Sequence, residues 1–366
     1  MDVIDEDGRL LGRVNVVDAL VVLVVLAIVV AGATFVLSAG GEPERSEPTY
    51  AYATVDLGSQ PAYVAELVDA GDTVERADGP NVTVTDVYAT GHGGDRHVRV
   101  RARIPGERTS DGFSYDGAPL RVGRTLDLAT SEYRTKGTVT AVDASGPDLP
   151  VRRTDVLLRT NLSVGTADAV DVDDEYRLDG RVLGTVESVS VHGSKDPGRV
   201  IAYVGVTYRT YGSGGEPRFG GTAVQEGTRL PFETDGYAFE GTVVRQNALQ
   251  QRGREVRRTA VLKLENADPD LAAAIDPGME ERVLGETVAR VSDVRVDPST
   301  VVIKSRNGTV FSREHPVEKD VTMTVDLRVR VTRSGLRFED APLRQGRSII
   351  LDFGTVTVEA TVVSVS

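Results

Sequence analysis

The chain has 366 residues, with 55 acidic against 42 basic side chains and a formal net charge of −13. That balance excludes nucleic acid as a main partner, because phosphate binding needs clustered Lys and Arg. Cysteine is absent, so no disulfide can form, and the length allows about two or three domains.

Residues 1–18 form a short polar tail. Asn15, with Asp18 three residues on, is placed to cap the helix that follows. Residues 19–37 carry no charge, and at ~1.5 Å per residue a helix of that length spans roughly the hydrocarbon layer of a bilayer. Residues 19–39 are therefore predicted to cross the membrane, making the lipid bilayer the first expected partner. A cleaved signal peptide is the rival, but its apolar core would be shorter. Arg9 and Arg13 precede the span and only Arg45 follows closely, which places the N-terminus in the cytoplasm and the rest outside. Three sequons begin at Asn81, Asn161 and Asn307. These candidate N-glycosylation acceptors can be used only outside the cytoplasm. Residues 40–49, polar and Pro-containing, read as a stalk.

The segment before the span carries Asp5, Gly8, Arg9, Leu10, Gly12, Asn15 and Asp18 in the order D-x-x-G-R-L-x-G-x-x-N-x-x-D. It resembles an uncharacterised family of membrane-anchored bacterial and archaeal proteins, domain-of-unknown-function family 4330. The resemblance implies the topology above and no activity. The chain departs from the family's usual length by carrying extra domain copies.

Three stretches beyond the stalk repeat one pattern. They run from Tyr115, Phe219 and Phe338, pass through Gly123, Gly227 and Gly346, and end at Val139, Val243 and Val362. Each repeat opens with a strand, at 51–57, 155–160 and 260–264. Short helices are expected at 61–69, capped by Ser59, and at 269–275, capped by Asp268, with a weaker one at 164–170. Alternating runs at 97–104 and 323–332 predict antiparallel strands with one wet face, and the two halves of each repeat look alike. The expected fold is mainly β: an N-terminal transmembrane helix, then three tandem barrel-like or sandwich-like modules with short helices. Their spans are 50–150, 151–252 and 253–366.

No set of residues reads as catalytic, and no cofactor or metal is expected. His92, His97, His192 and His315 lack metal-ligand spacing. The acidic run Asp168, Asp171, Asp173, Asp174 and Glu175 lacks the turn glycine of a calcium loop and reads as solvated surface. Arg99, Arg101, Arg103, Arg328 and Arg330 would line strand faces and form a candidate anion-binding strip. With only five Lys, the composition resembles proteins from salt-loving archaea, whose carboxylate surfaces hold water and ions. The expected function is a non-catalytic structural or interaction protein of the cell envelope, with other envelope proteins or surface polysaccharide as partners. The alternatives are a ligand- or lipid-handling module of an envelope transport system and, less favoured, an envelope enzyme.

Overall fold

The computed structural model describes residues 9–10, 14–15, 21, 24–25, 49–74, 80–91, 94–110, 112–196, 198–212, 215–304 and 310–366. In the tail, β1 (Arg9–Leu10) pairs with β2 (Val14–Asn15), so Asn15 is extended. Of the expected span, Val21, Val24 and Val25 are described, and all three are helical and exposed. The rest of 19–39 lies outside the described residues. No helix among the described residues is long and apolar enough to cross a membrane.

Beyond the tail the chain is mainly β, in three nearly closed, barrel-like sheets. The first contains β3 (Thr49–Pro61), α1 (Ala62–Ala65), β4 (Thr73–Val74), β5 (Val82–Thr90), β6 (Asp95–Thr109), β7 (Gly112–Tyr115), β8 (Ala118–Pro119), β9 (Thr125–Ala129) and β10 (Arg134–Asp143). The second contains β11 (Val151–Ser163), α2 (Val164–Asp168), β12 (Glu175–Leu178), β13 (Arg181–Gly193), β14 (Arg199–Tyr211), β15 (Arg218–Phe219), β16 (Thr222–Ala223), β17 (Arg229–Glu233) and β18 (Ala238–Gln246). The third contains β19 (Arg254–Ala267), α3 (Pro269–Ala273), β20 (Glu280–Val283), β21 (Glu286–Lys304), β22 (Val310–Thr332), β23 (Gly335–Phe338), β24 (Ala341–Pro342), β25 (Ser348–Asp352) and β26 (Thr357–Val365).

All pairings are antiparallel, and the first sheet runs β4-β5-β6-β3-β10-β9 with β7 and β8 appended to β6. This order is unchanged when β3 exchanges with β6, β4 with β9 and β5 with β10. Each module is thus two similar halves, with α1 in one half where the β7–β8 hairpin stands in the other. Backbone hydrogen bonds repeat the symmetry: Gly71 N–H donates to the Val84 carbonyl and Gly123 N–H to that of Val139, both at 2.8 Å. The same bond joins Gly227 to Val243 and Gly346 to Val362 at 2.8 Å. The three glycines have φ of 87°, 91° and 75°, a region that costs other residues more, which explains the glycine at the centre of every repeat.

Alternation builds the cores. Val98, Val100, Ala102 and Ile104 of β6 are fully buried against Val55 and Val139. The opposite face of β6, expected to be wet, is covered as well: Arg99 and Arg101 are only 5% and 4% exposed. The helices are shorter than expected. Ser163 Oγ caps α2 by accepting from Thr166 N, and Asp268 caps α3 by accepting from Asp270 N. Ser59 caps nothing, because β3 continues through Pro61 before α1 begins.

Candidate functional site at the module seams

Equivalent positions follow from the strand register. Val55 faces Val139, Leu158 faces Val243 and Leu262 faces Val362, each beside a bulge. The tight turns after β7, β15 and β23 are therefore equivalent: Asp116-Gly117, Gly220-Gly221 and Glu339-Asp340. In modules two and three this turn docks into the preceding module, so the modules stack head to tail through one repeated geometry.

At the first seam the turn is small. Gly220 and Gly221, at φ 56° and 78°, lie against Thr90 and the His97 ring, where a larger residue would crowd them. Tyr176 donates its hydroxyl to the Gly91 carbonyl, and Tyr88 donates to the Arg209 carbonyl at 2.7 Å. Arg99 lies over the Tyr211 ring, 4.1 Å from its centroid. Beneath it, Asp56 accepts from Arg99 and lies 3.2 Å from His97 Nε2. Burial pushes the Asp56 carboxyl up, but hydrogen bonds from His97, Arg99 and the Gly58 amide outweigh it and hold the group well below the usual carboxylate range.

At the second seam the turn is charged. Asp340 Oδ2 accepts from Arg159 Nε at 3.0 Å and Nη2 at 2.7 Å, and Oδ1 accepts from the Tyr203 hydroxyl. Burial raises the Asp340 carboxyl, while Tyr203 and Arg159 lower it to a net depression. Glu339, at φ 51°, accepts from Gly193 N–H at 2.9 Å. A small cleft beside it is lined by His192, Glu255, Arg328, Arg330, Arg337 and Glu339. Glu281 is 6% exposed, and its Oε2 has no hydrogen-bond partner among the described residues. Burial pushes both the Glu281 and Glu339 carboxyls up, and the charge of Glu339 raises Glu281 further. Burial also lowers His192, whose Nε2 lies 3.0 Å from Gln251 Oε1.

The linkers follow the same path over both modules. Residues 144–150 lie on module one, where Arg101 donates to the Gly146 carbonyl at 2.9 Å and to Thr54 at 2.9 Å, and pairs with Asp143 at 2.8 Å. Asp86 accepts from Leu149 N–H at 2.8 Å. In module two Gly205 replaces Arg101. The Leu249 carbonyl fills the space a side chain would take and accepts from Ser188 Oγ.

The arginines expected to form one strip are thus divided. Arg99 and Arg101 meet the next module and the linker, and Arg103 lies 4.6 Å from the Tyr50 ring centroid. By register, Arg328 and Arg330 are equivalent to Arg209 and Tyr211, not to Arg99–Arg103. Arg328 pairs with Glu286 at 3.5 Å and Arg330 with Glu255 at 2.6 Å. In the acidic run, Asp174 accepts from the Tyr237 hydroxyl. Among the described residues no three His, Asp or Glu side chains converge to hold a metal ion. Asn81 and Asn161 are exposed, whereas His92 and Asn307 lie outside the described residues. The sequence reading missed Tyr176, Tyr203, Glu339 and Asp340. The signal for the last two lay in the aligned repeats, where Glu-Asp replaces Gly-Gly.

Module three differs at its own receiving end. Pro298 stands where Gly193 offers its N–H, so that donor is lost. Lys263, equivalent to Arg159, is already paired with Glu265 at 2.9 Å and Asp320 at 3.0 Å. The β21–β22 hairpin also continues well past Pro298.

The fold and its seams define a directional array of barrel-like modules. The family model described as "Domain of unknown function (DUF4330)" matches residues 1–91 and 245–366, more than half of the chain, and the chain belongs to that family. The unmatched stretch runs from the β5–β6 turn of module one into β18 of module two. No curated protein and no solved structure matches the chain.

Proposed function

We propose that the chain is a single-pass membrane-anchored protein of the cell envelope, with a cytoplasmic N-terminus and a non-catalytic, extracytoplasmic array of modules. The array acts as a structural or interaction element that holds its far end at a set distance from the membrane. The carrying observation is the repeated, directional seam, in which polar contacts between modules, Arg159 and Tyr203 with Asp340 and Tyr88 with the Arg209 carbonyl, support one order and orientation of neighbouring modules. Specific charge pairing of this kind restricts alternative dockings. The exposed sequons at Asn81 and Asn161 fit this placement as glycan acceptors. The excess of carboxylates fits a high-salt medium. Tightly filled barrel interiors, with Val55, Val156, Val206 and Val325 fully buried, favour this reading over a lipid carrier, which needs a chamber.

Protease treatment of intact cells tests it. With tags at both termini, the C-terminal tag is expected to be digested and the N-terminal tag protected until lysis. Protection of both tags in intact cells overturns the reading.

A further inference from the structure

The outer face of module two carries a feature that the seams do not use. β11 and β14 pair in a register that sets Arg153 directly opposite Arg209. Like charges at facing positions repel, and sheets ordinarily avoid them. Neither guanidinium forms an ion pair among the described residues. Asp155, two positions along the same strand face, accepts from Thr207 Oγ1 at 2.8 Å. Glu187 lines the same cleft and forms no ion pair with either arginine. Arg152 is bonded to the Gly215 carbonyl at 3.2 Å.

The two arginines share a cleft of about 530 Å³ with Thr185 and Thr207. The other modules show what a neutral version looks like. Module one has Tyr50 opposite Pro105 at the same register. Module three repeats the pair as Arg257 opposite Arg328, but Glu286 lies 3.5 Å from Arg328. In module two, among the described residues, no carboxylate is ion-paired to either arginine, although Glu187 lines the same cleft. In a chain of net charge −13, two exposed cations at facing strand positions with no ion pair are a local exception.

We propose that this cleft binds a tetrahedral oxyanion, a phosphate or sulfate group, held between Arg153 and Arg209 with the Thr185 hydroxyl beside it. Each guanidinium presents a planar fork of N–H donors that matches two oxygens of such a group. A single dianion bridging both relieves the repulsion that the strand register imposes.

The test is calorimetric titration of the full-length chain with inorganic pyrophosphate in one arm and dextran sulfate in the other. Saturable binding in either arm is expected, and the arm that responds identifies the source of the oxyanion. R153A/R209A should weaken binding at least tenfold. R209E, which places an opposite charge across from Arg153, should abolish binding and raise the thermal midpoint. This stability gain keeps the test independent of misfolding. Failure to bind in both arms, or equal binding by R209E, overturns the proposal.

Discussion

Tyr133 donates its hydroxyl to Asp72 at 2.7 Å, across the gap where the edge strands β4 and β9 exchange no backbone hydrogen bonds. Tyr237 and Asp174 repeat the bond in module two. In module three the corresponding positions hold Met279 and Val356. Two of the three barrels therefore close their open side with one charged hydrogen bond.

Removing that bond leaves Asp72 or Asp174 with a lost donor at a half-buried site. Tyr133→Phe and Tyr237→Phe should each cost about 1.5–3 kcal/mol, the range for a hydrogen bond to a charged group. Burial and the adjacent carboxylates raise both phenols, so the bond persists through neutral pH and weakens only in strong alkali. Chemical denaturation of the variants measures the effect, and loss of less than about 0.3 kcal/mol in both would show the latch to be idle.

The second seam should respond to pH through Glu281 and Glu339. Both carboxyls are raised by burial, so the folded state holds their protons more tightly than the unfolded chain does. Their contribution is fully present below the unfolded value of about 4.5 and is lost as pH rises through the raised values. Glu281→Gln should flatten this dependence and stabilise the protein in mild alkali. Thermal midpoints measured from pH 5 to pH 9 decide it, and parallel curves for variant and parent would refute the assignment.

Asp340 makes the opposite prediction. Its net depressed carboxyl contributes stability above the unfolded value near 3.8, lost as pH falls through the lowered one. Asp340→Ala strands Arg159 and Tyr203 at the seam and should cost about 1–3 kcal/mol, less than a fully buried pair because Arg159 is partly exposed. Limited proteolysis in the 247–253 linker should accelerate, since the turn that docks beside it is released.

Gly205→Ala tests the linker path directly. Its Cβ would overlap the Leu249 carbonyl, which also accepts from Ser188. Overpacking of this kind typically costs about 1–3 kcal/mol. Hydrogen exchange should show lost protection at 247–253 while the β11–β14 core remains protected.

Much of the module architecture was readable from the chain. The alternation in β6 and β22 marks buried faces because side chains on a strand change side at every residue. The aligned glycines mark positive-φ positions, which few other residues accept cheaply. The seams were not readable in the same way. Arg99 and Arg101 look like solvent residues until the register shows Tyr211 and the 144–150 linker lying over them. Burial by a neighbouring module leaves no periodic trace in the strand that is covered. The Arg153–Arg209 opposition is likewise invisible without the pairing of β11 with β14, since 55 residues of chain lie between the two positions.

Pro298 has a consequence for how module three can be joined. The second seam joins an incoming turn on one side to a backbone donor on the other. Gly193 supplies that donor at the second module, and Pro298 withholds it at the third. A joint of the second kind, with a carboxylate turn held by a backbone N–H, therefore cannot be repeated at this position of module three. The array is graduated in whole modules, and one imino acid changes the kind of joint that the third can offer.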